Sequence, residues 1–378
     1  MTFLGRLAVS LLLWPALAAA VPTVTPPPVA ARSYVLVDAL SGRTLAAAGE
    51  TEPVEPASLT KLMTAYVAFE AIREGKLALD RSVTTSAQAA QAPGARMFLS
   101  PGQSATIEQL LQGVIALSAN DAAIALAEAV ATTEAAFVER MNRRAQRMGL
   151  AGTKFVNCTG EPAPGHQSTA RDLAALALAL VRDFPQHYPL YSQRELAWNG
   201  MKQANRNRLL WIDPAVDGMQ SGFTEASGYG LAASARRGER RLISVVLGAQ
   251  TDGLRISETQ KLLNFGFQSW ETRRLYRRGE RVATPAVYKG TADTVGLGFD
   301  RDVWLTLPRE RFDGLKAVLE TRQPFVAPLA AGEKAGIMKL TREGAPVAEL
   351  PVVALEDVPV AGFLSRGWDT LKLIFLTP

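Results

Sequence analysis

Pro56-Ala57-Ser58-Leu59-Thr60-Lys61-Leu62-Met63-Thr64 holds the only serine of the chain that is followed three positions later by a lysine. On a helix, residues i and i+3 share a face, so the Lys61 amine can lie beside the Ser58 hydroxyl. A serine hydroxyl becomes a nucleophile when a neighbouring base takes its proton. A lysine serves as that base where burial and nearby charge bring its pKa toward neutrality. Taken alone, the pattern reads more simply as an N-capping serine followed by a solvated lysine. The surrounding chain decides between the two.

Leu62, Tyr66 and Phe69 recur at helical spacing, which predicts a helix from about Ser58 to Glu74 with Gly75 as its stop. This segment is apolar around much of its girth and is therefore expected to run through a core, burying Lys61. Before it, Ser33–Asp38 and Thr44-Leu45-Ala46 flank the turn Ser41-Gly42 and read as a hairpin. After it come helices at 106–117, with Ile107, Leu110, Leu111, Val114 and Ile115 on one stripe, and from Ala122 to Val130. Phe137, Met141 and Met148 continue a helical pattern to Gly149. Thr169-Ala170-Arg171-Asp172 resembles a capping box, with Asp in the place of Glu or Gln, and opens a helix over 173–181. Residues 230–235 and 242–247 read as two strands joined by a charged turn, followed by a helix over 257–267. Strand, many helices, strand pair and helix together predict an α+β domain: an antiparallel sheet with helices packed on it, plus a helical cluster.

At 378 residues the chain has room for two cores. Its 48% hydrophobic and 20% charged residues are those of a folded globular protein. The net charge of +5 comes without a Lys/Arg stripe interleaved with aromatics, which sets nucleic-acid binding aside; an anionic lipid or wall polymer suits the charge equally well. A single cysteine, Cys158, excludes an intramolecular disulfide and is expected to be a small packed residue near the site's rim. With two histidines and neither H-E-x-x-H nor C-x-x-C, no metal site is indicated. His166 is the candidate base for a Ser-His-Asp arrangement, but His166-Gln167-Ser168 reads more simply as loop before a helix cap.

Residues 1–20 carry Arg6, an apolar run from Leu7 to Leu17 and Ala18-Ala19-Ala20, the pattern of a secretory signal peptide. The run is too short for a permanent membrane span and contains Pro15. Residues 21–30 form a Pro-rich leader, so the main domain is expected over 31–272. From there short alternating segments predict a small all-β domain over 273–358. Val303, Leu305 and Leu307 alternate with Trp304 and Thr306, and Gly279, Gly290 and Gly344 sit at turns. Within 360–378, Leu364, Trp368, Leu371 and Phe375 share one helical face, with Arg366, Asp369 and Lys372 mostly off it. Such a helix lies in a membrane interface or docks on the β domain.

In order and spacing the chain resembles the low-molecular-mass penicillin-binding proteins, serine-type D-alanyl-D-alanine carboxypeptidases. The resemblance runs through P-A-S-L-T-K (56–61), S-A-N-D-A-A (118–123), F-V-N-C-T-G (155–160), G-H-Q-S-T-A-R-D (165–172), N-R-N-R-L-L-W (205–211), V-D-G-M-Q-S-G-F-T (216–224) and L-I-S-V-V-L-G (242–248). The wider superfamily carries an S-x-x-K, S-D-N and K-T-G set. The resemblance implies a β-lactamase/transpeptidase-like main domain and no cofactor. It makes Ser58 the acylated nucleophile, Lys61 its base, Ser118 a proton relay to the leaving group, and Asn120 a hydrogen-bonding partner of the substrate backbone. It places the oxyanion hole at the N–H groups of Ser58 and Phe223, and gives Arg206 and Arg255 the terminal carboxylate of the peptide.

One departure stands out. Where the family has Lys-Thr-Gly, this chain has Gln220-Ser221-Gly222. Ser221 keeps the hydroxyl and Gly222 the open strand, but Gln220 removes a fixed positive charge. The resemblance therefore implies removal of the terminal D-alanine from peptidoglycan stem peptides and acylation by β-lactams, both weakened. A catalytically impaired wall-binding or regulatory protein and an endopeptidase are the alternatives. A β-lactamase is set aside because no acidic loop residue is evident to drive deacylation. By the same resemblance, the C-terminal helix is expected to hold an exported protein at the periplasmic face of the cytoplasmic membrane.

Overall fold

A computed structural model describes residues 24–376, so the signal-peptide reading of 1–20 lies outside the described residues. The chain divides into two compact units, one of residues 26–274 with 304–309, the other of 275–303 with the residues beyond 309.

The first unit is built on a five-stranded antiparallel sheet of β1 (Ser33–Asp38), β2 (Thr44–Ala48), β3 (Val216–Thr224), β4 (Gly228–Arg237) and β5 (Arg240–Ala249), in the order β2-β1-β5-β4-β3. Strand β1 is buried along its whole length because it lies between two others, with Val35 opposite both Ala47 and Val245. Its last residue, Asp38, is wholly buried yet charged. The carboxylate accepts from Arg240 Nε at 2.8 Å, Thr272 Oγ1 at 2.7 Å and the Leu40 and Ser41 amides. A buried charge persists only with such partners.

The longer helices of this unit are α1 (Lys61–Arg73), α2 (Ile107–Ala116), α3 (Asn120–Ala131), α4 (Glu134–Arg147), α5 (Ala170–Asp183) and α6 (Asp252–Ser269). Helix α1 is buried from Lys61 through Phe69, as its all-round apolar sequence requires. Thr106 and Gln109 form a reciprocal capping box at α2. The box expected at α5 is only half made. Thr169 Oγ1 accepts from the Asp172 amide, but Asp172 Oδ2 turns to the Gly152 amide and Thr153 hydroxyl, tying down the preceding loop.

Helix α6 begins five residues before the expected Ser257, because Thr251 caps the Leu254 amide. That earlier start places Arg255 in its first turn. Residues 304–309, read as part of the β domain, cluster with the first unit. Thr306 is buried rather than facing out, held by Ser41 Oγ at 2.6 Å and Thr272 Oγ1 at 2.8 Å. A polar side chain that finds two partners can occupy an inward position that alternation alone assigns to apolar residues.

The second unit is an antiparallel sheet in the order 281–283, 297–298, 345–354, 334–342, 315–321. A helix, Phe363–Leu376, follows. Asp369 Oδ2 accepts from the Lys289 amide of this unit at 2.7 Å, while Trp368 and Leu371 are exposed.

Candidate active site

Ser58 lies in a single 3-10 turn, Ala57–Thr60, that runs directly into α1. Ala57 is held in the left-handed region at φ +49°. Two glycines allow neighbouring backbone to press on this turn. A Cβ on Gly160 would stand 1.9 Å from the Ala57 carbonyl oxygen, and one on Gly222 of β3 would stand 3.0 Å from the Ser58 nitrogen. The Ser58 turn is thus clamped between the 155–167 loop and the edge strand of the sheet.

Lys61 is completely buried. Its Nζ donates to Ser58 Oγ at 3.1 Å, Asn120 Oδ1 at 2.7 Å and the Thr159 carbonyl at 2.6 Å, which uses all three ammonium donors. Burial pulls its pKa down from the ordinary lysine range to about 8, with the carboxylates of Glu161 and Asp121 acting in the opposite sense. At neutral pH a fraction on the order of a tenth is then neutral and able to take the Ser58 proton.

Ser118 comes from the turn between α2 and α3, where it adopts φ +58°, and Asn120 is the first residue of α3. Asp121 fixes this corner by accepting from the Met97 and Leu99 amides, both at 3.0 Å. Gln220, on β3, donates from Nε2 to Ser118 Oγ at 3.0 Å. The two first motifs and the third thus converge. Ser221 is buried beside Gln220, and Phe223 is half exposed, its ring 4.4 Å from that of Tyr229.

Arg255 reaches β3 and β4 from α6, donating to the carbonyls of Gly222 at 3.1 Å and Gly230 at 3.2 Å and pairing with Asp252. The Arg206 amide donates to the Ala116 carbonyl, and its Nε lies 3.5 Å from Leu117 O, adjoining Ser118. Both arginines line a cavity of about 590 Å³ with Arg208, Trp211, Ile212 and Tyr229.

His166 is not paired with Ser58. Its Nδ1 accepts from the Val156 amide at 3.0 Å, so its Nε2 carries the proton and donates to Thr60 Oγ1 at 2.8 Å. Burial pulls its pKa down to about 4. Cys158 is fully buried in the core and not at the rim. Its carbonyl accepts from Thr64 Oγ1, its amide donates to Glu134 Oε1, and burial holds its thiol well above the ordinary range.

Sequence reasoning missed Glu161. An acidic loop residue does reach the site, its Oε1 accepting from Asn120 Nδ2 at 2.7 Å. Its place directly after the Phe155–Gly160 stretch was the available signal. It also missed the Thr159 carbonyl, a backbone ligand of Lys61 that no side-chain pattern announces.

A buried lysine at hydrogen-bonding distance from a serine, facing the edge strand of an antiparallel sheet, defines a serine hydrolase of the S-x-x-K type. Residues 20–251 match the family described as D-alanyl-D-alanine carboxypeptidase, and residues 270–360 match the C-terminal domain of penicillin-binding protein 5. The D-alanyl-D-alanine carboxypeptidase DacC of Escherichia coli is 40% identical over 365 residues, 94% of this chain and 91% of that protein. DacF of Bacillus subtilis is 36% identical over 341 residues, 89% of this chain and 87% of that protein. The crystal structure of penicillin-binding protein 5 from Haemophilus influenzae matches with a TM-score of 0.86 at 37% identity, covering 89% of this chain and 99% of that one. The chain belongs to the D-alanyl-D-alanine carboxypeptidase family of serine hydrolases, with a transpeptidase-like domain followed by an all-β domain.

Proposed function

We propose that the chain removes the terminal D-alanine from peptidoglycan stem peptides through an acyl-enzyme on Ser58. The observation that carries this is the buried Lys61 amine, 3.1 Å from Ser58 Oγ and with its pKa drawn down to about 8. Neutral Lys61 takes the Ser58 proton as Oγ bonds to the carbonyl carbon of the penultimate D-alanine. The negative oxygen that develops is received by the Ser58 and Phe223 amides, a donor of this kind being worth about 3 kcal/mol. As the intermediate collapses, the peptide C–N bond breaks, and the proton travels from Lys61 through Ser118 to the departing D-alanine nitrogen. Water then hydrolyses the ester, regenerating Ser58. Ser221, Arg206 and Arg255 receive the substrate's carboxylate, and β-lactams acylate the same serine.

Gln220 still donates a hydrogen bond to Ser118, but without charge. Loss of that charge from a buried site costs about 1–3 kcal/mol, up to about a hundredfold in rate. Activity is therefore weakened relative to a lysine-bearing site. This same observation supports a second reading, a paralogue that binds wall peptide or regulates with little turnover. Release of D-alanine from a D-Ala-D-Ala peptide, together with labelling by a fluorescent penicillin, tests both readings against a Ser58→Ala control. Labelling without D-alanine release favours the second reading, and absence of both sinks the first.

The protein is exported and rests on the periplasmic face of the cytoplasmic membrane through helix Phe363–Leu376. Among the described residues no helix is long and apolar enough to cross a membrane. Phe363, Trp368 and Leu371 are all exposed on this one, as an interfacial helix requires.

A further inference from the structure

Both amide hydrogens of Asn120 are taken. Its Oδ1 faces Lys61 Nζ, which turns Nδ2 toward the Pro93 carbonyl at 2.7 Å and Glu161 Oε1 at 2.7 Å. An amide nitrogen has two hydrogens to give, so a substrate carbonyl held by Asn120 must displace one of these acceptors. Pro93 contributes backbone, and the backbone N–H of Asn120 donates to the neighbouring Ala95 carbonyl at 2.6 Å. Glu161 contributes the end of a half-buried side chain.

Only that side chain is free to move. The Glu161 carbonyl accepts from Asn157 Nδ2 at 2.8 Å, and Asn157 Oδ1 accepts from the Gly160 amide at 2.7 Å. Gly160 in turn lies against the Ala57 carbonyl. Substrate entry therefore releases the carboxylate while its backbone stays in place beside the bound peptide.

The Asn120 bond is the one polar contact shown for this carboxylate among the described residues. A partly buried anion stripped of its donor is costly until it finds another. Within the site Lys61 is fully engaged, and Gln220 carries no charge. Water reaches the half-buried carboxylate, and a charged partner for it would come with the substrate, on the side of the scissile bond that Asn120 holds.

We propose that Glu161 is a specificity-determining residue that selects peptides carrying a free ammonium group on the side chain of the residue preceding the D-alanine pair. This deepens, and rests on, the carboxypeptidase reading above. On binding, the peptide carbonyl replaces Glu161 on Asn120, and the carboxylate turns to the ammonium.

The test compares D-alanine release from Nα-acetyl-L-Lys-D-Ala-D-Ala, whose ε-ammonium is free, and from its Nα,Nε-diacetyl form. The intact chain is expected to favour the first by roughly tenfold in kcat/KM, expressed mainly in KM, the yield of one charged hydrogen bond. Glu161→Gln, which still accepts from Asn120, is expected to bring the ratio near one while fluorescent penicillin still labels Ser58. Glu161→Asp is expected to restore part of the preference. A ratio near one in the intact chain, or an undiminished ratio in Glu161→Gln, overturns the proposal. Should neither peptide lose D-alanine, it is the carboxypeptidase reading that fails. Selection is then read from how strongly each peptide slows penicillin labelling. Stronger slowing by the free-ammonium peptide, lost in Glu161→Gln, supports the proposal; equal slowing by both peptides overturns it.

Discussion

Gln220 Nε2 donates to Ser118 Oγ across 3.0 Å, joining the edge strand of the sheet to the turn between α2 and α3 with both side chains almost wholly buried. An amide fills the place without the charge. Placing a cation there by Gln220→Lys is expected to raise the penicillin acylation rate, by up to about a hundredfold. Stopped-flow acylation measures this, and an unchanged rate removes the charge argument.

The proposed base role of Lys61 needs its neutral form, and its pKa is drawn down to about 8 by burial. Acylation is therefore expected to fall as pH drops below about 8 and to level off above it. The Glu161 carboxylate raises this pKa, so Glu161→Gln should move the midpoint downward. Rates of acylation from pH 6 to 10 in both proteins decide the matter, and a midpoint that moves upward contradicts the assignment.

Gly160 and Gly165 both have positive φ, at +87° and +78°, but only Gly160 crowds a neighbour. An alanine at either position meets about 1 kcal/mol of backbone strain. At 160 it also collides with the Ala57 carbonyl. Gly160→Ala is expected to abolish penicillin labelling, whereas Gly165→Ala should label normally with a slightly lower Tm. Equal behaviour of the two variants would falsify the clamp on the nucleophile turn.

Asp38 and Arg240 form an ion pair in which the carboxylate is fully buried and the guanidinium nearly so. Removing the carboxylate by Asp38→Ala strands the arginine and is expected to cost about 3–5 kcal/mol. Urea unfolding followed by circular dichroism reads this directly. A cost below about 1 kcal/mol would put the pair in the class of solvated surface bridges.

Deleting residues 361–378 is expected to move the protein from the membrane to the soluble periplasmic fraction with penicillin labelling unchanged. The apolar side chains that the helix exposes, Phe363, Trp368 and Leu371, are among those removed. Retention in the membrane fraction would transfer the anchoring role elsewhere in the chain.

Helices α1 to α5 were legible because apolar residues recur with the period of the helix, and burial of an apolar face is a local demand. The strands β1, β4 and β5 followed from short apolar runs bounded by turns. The start of α6 was not legible, because Thr251 stands six residues before the expected Ser257 in a stretch without apolar periodicity. Thr306 escaped for a related reason: its two hydroxyl partners, Ser41 and Thr272, are far away in sequence.

The sequence by itself placed Ser58 and Lys61 on one turn, and the apolar helix behind them required the burial of Lys61. It also placed an uncharged residue, Gln220, two positions before Gly222. Only the tertiary structure decided what surrounds them. Thr159 and Asn120 meet Lys61 across long stretches of chain, Glu161 meets Asn120 in the same way, and His166 turns away to Thr60. Hydrogen bonds between groups distant in sequence depend on how the 155–167 loop packs on the nucleophile turn. No local spacing encodes that contact.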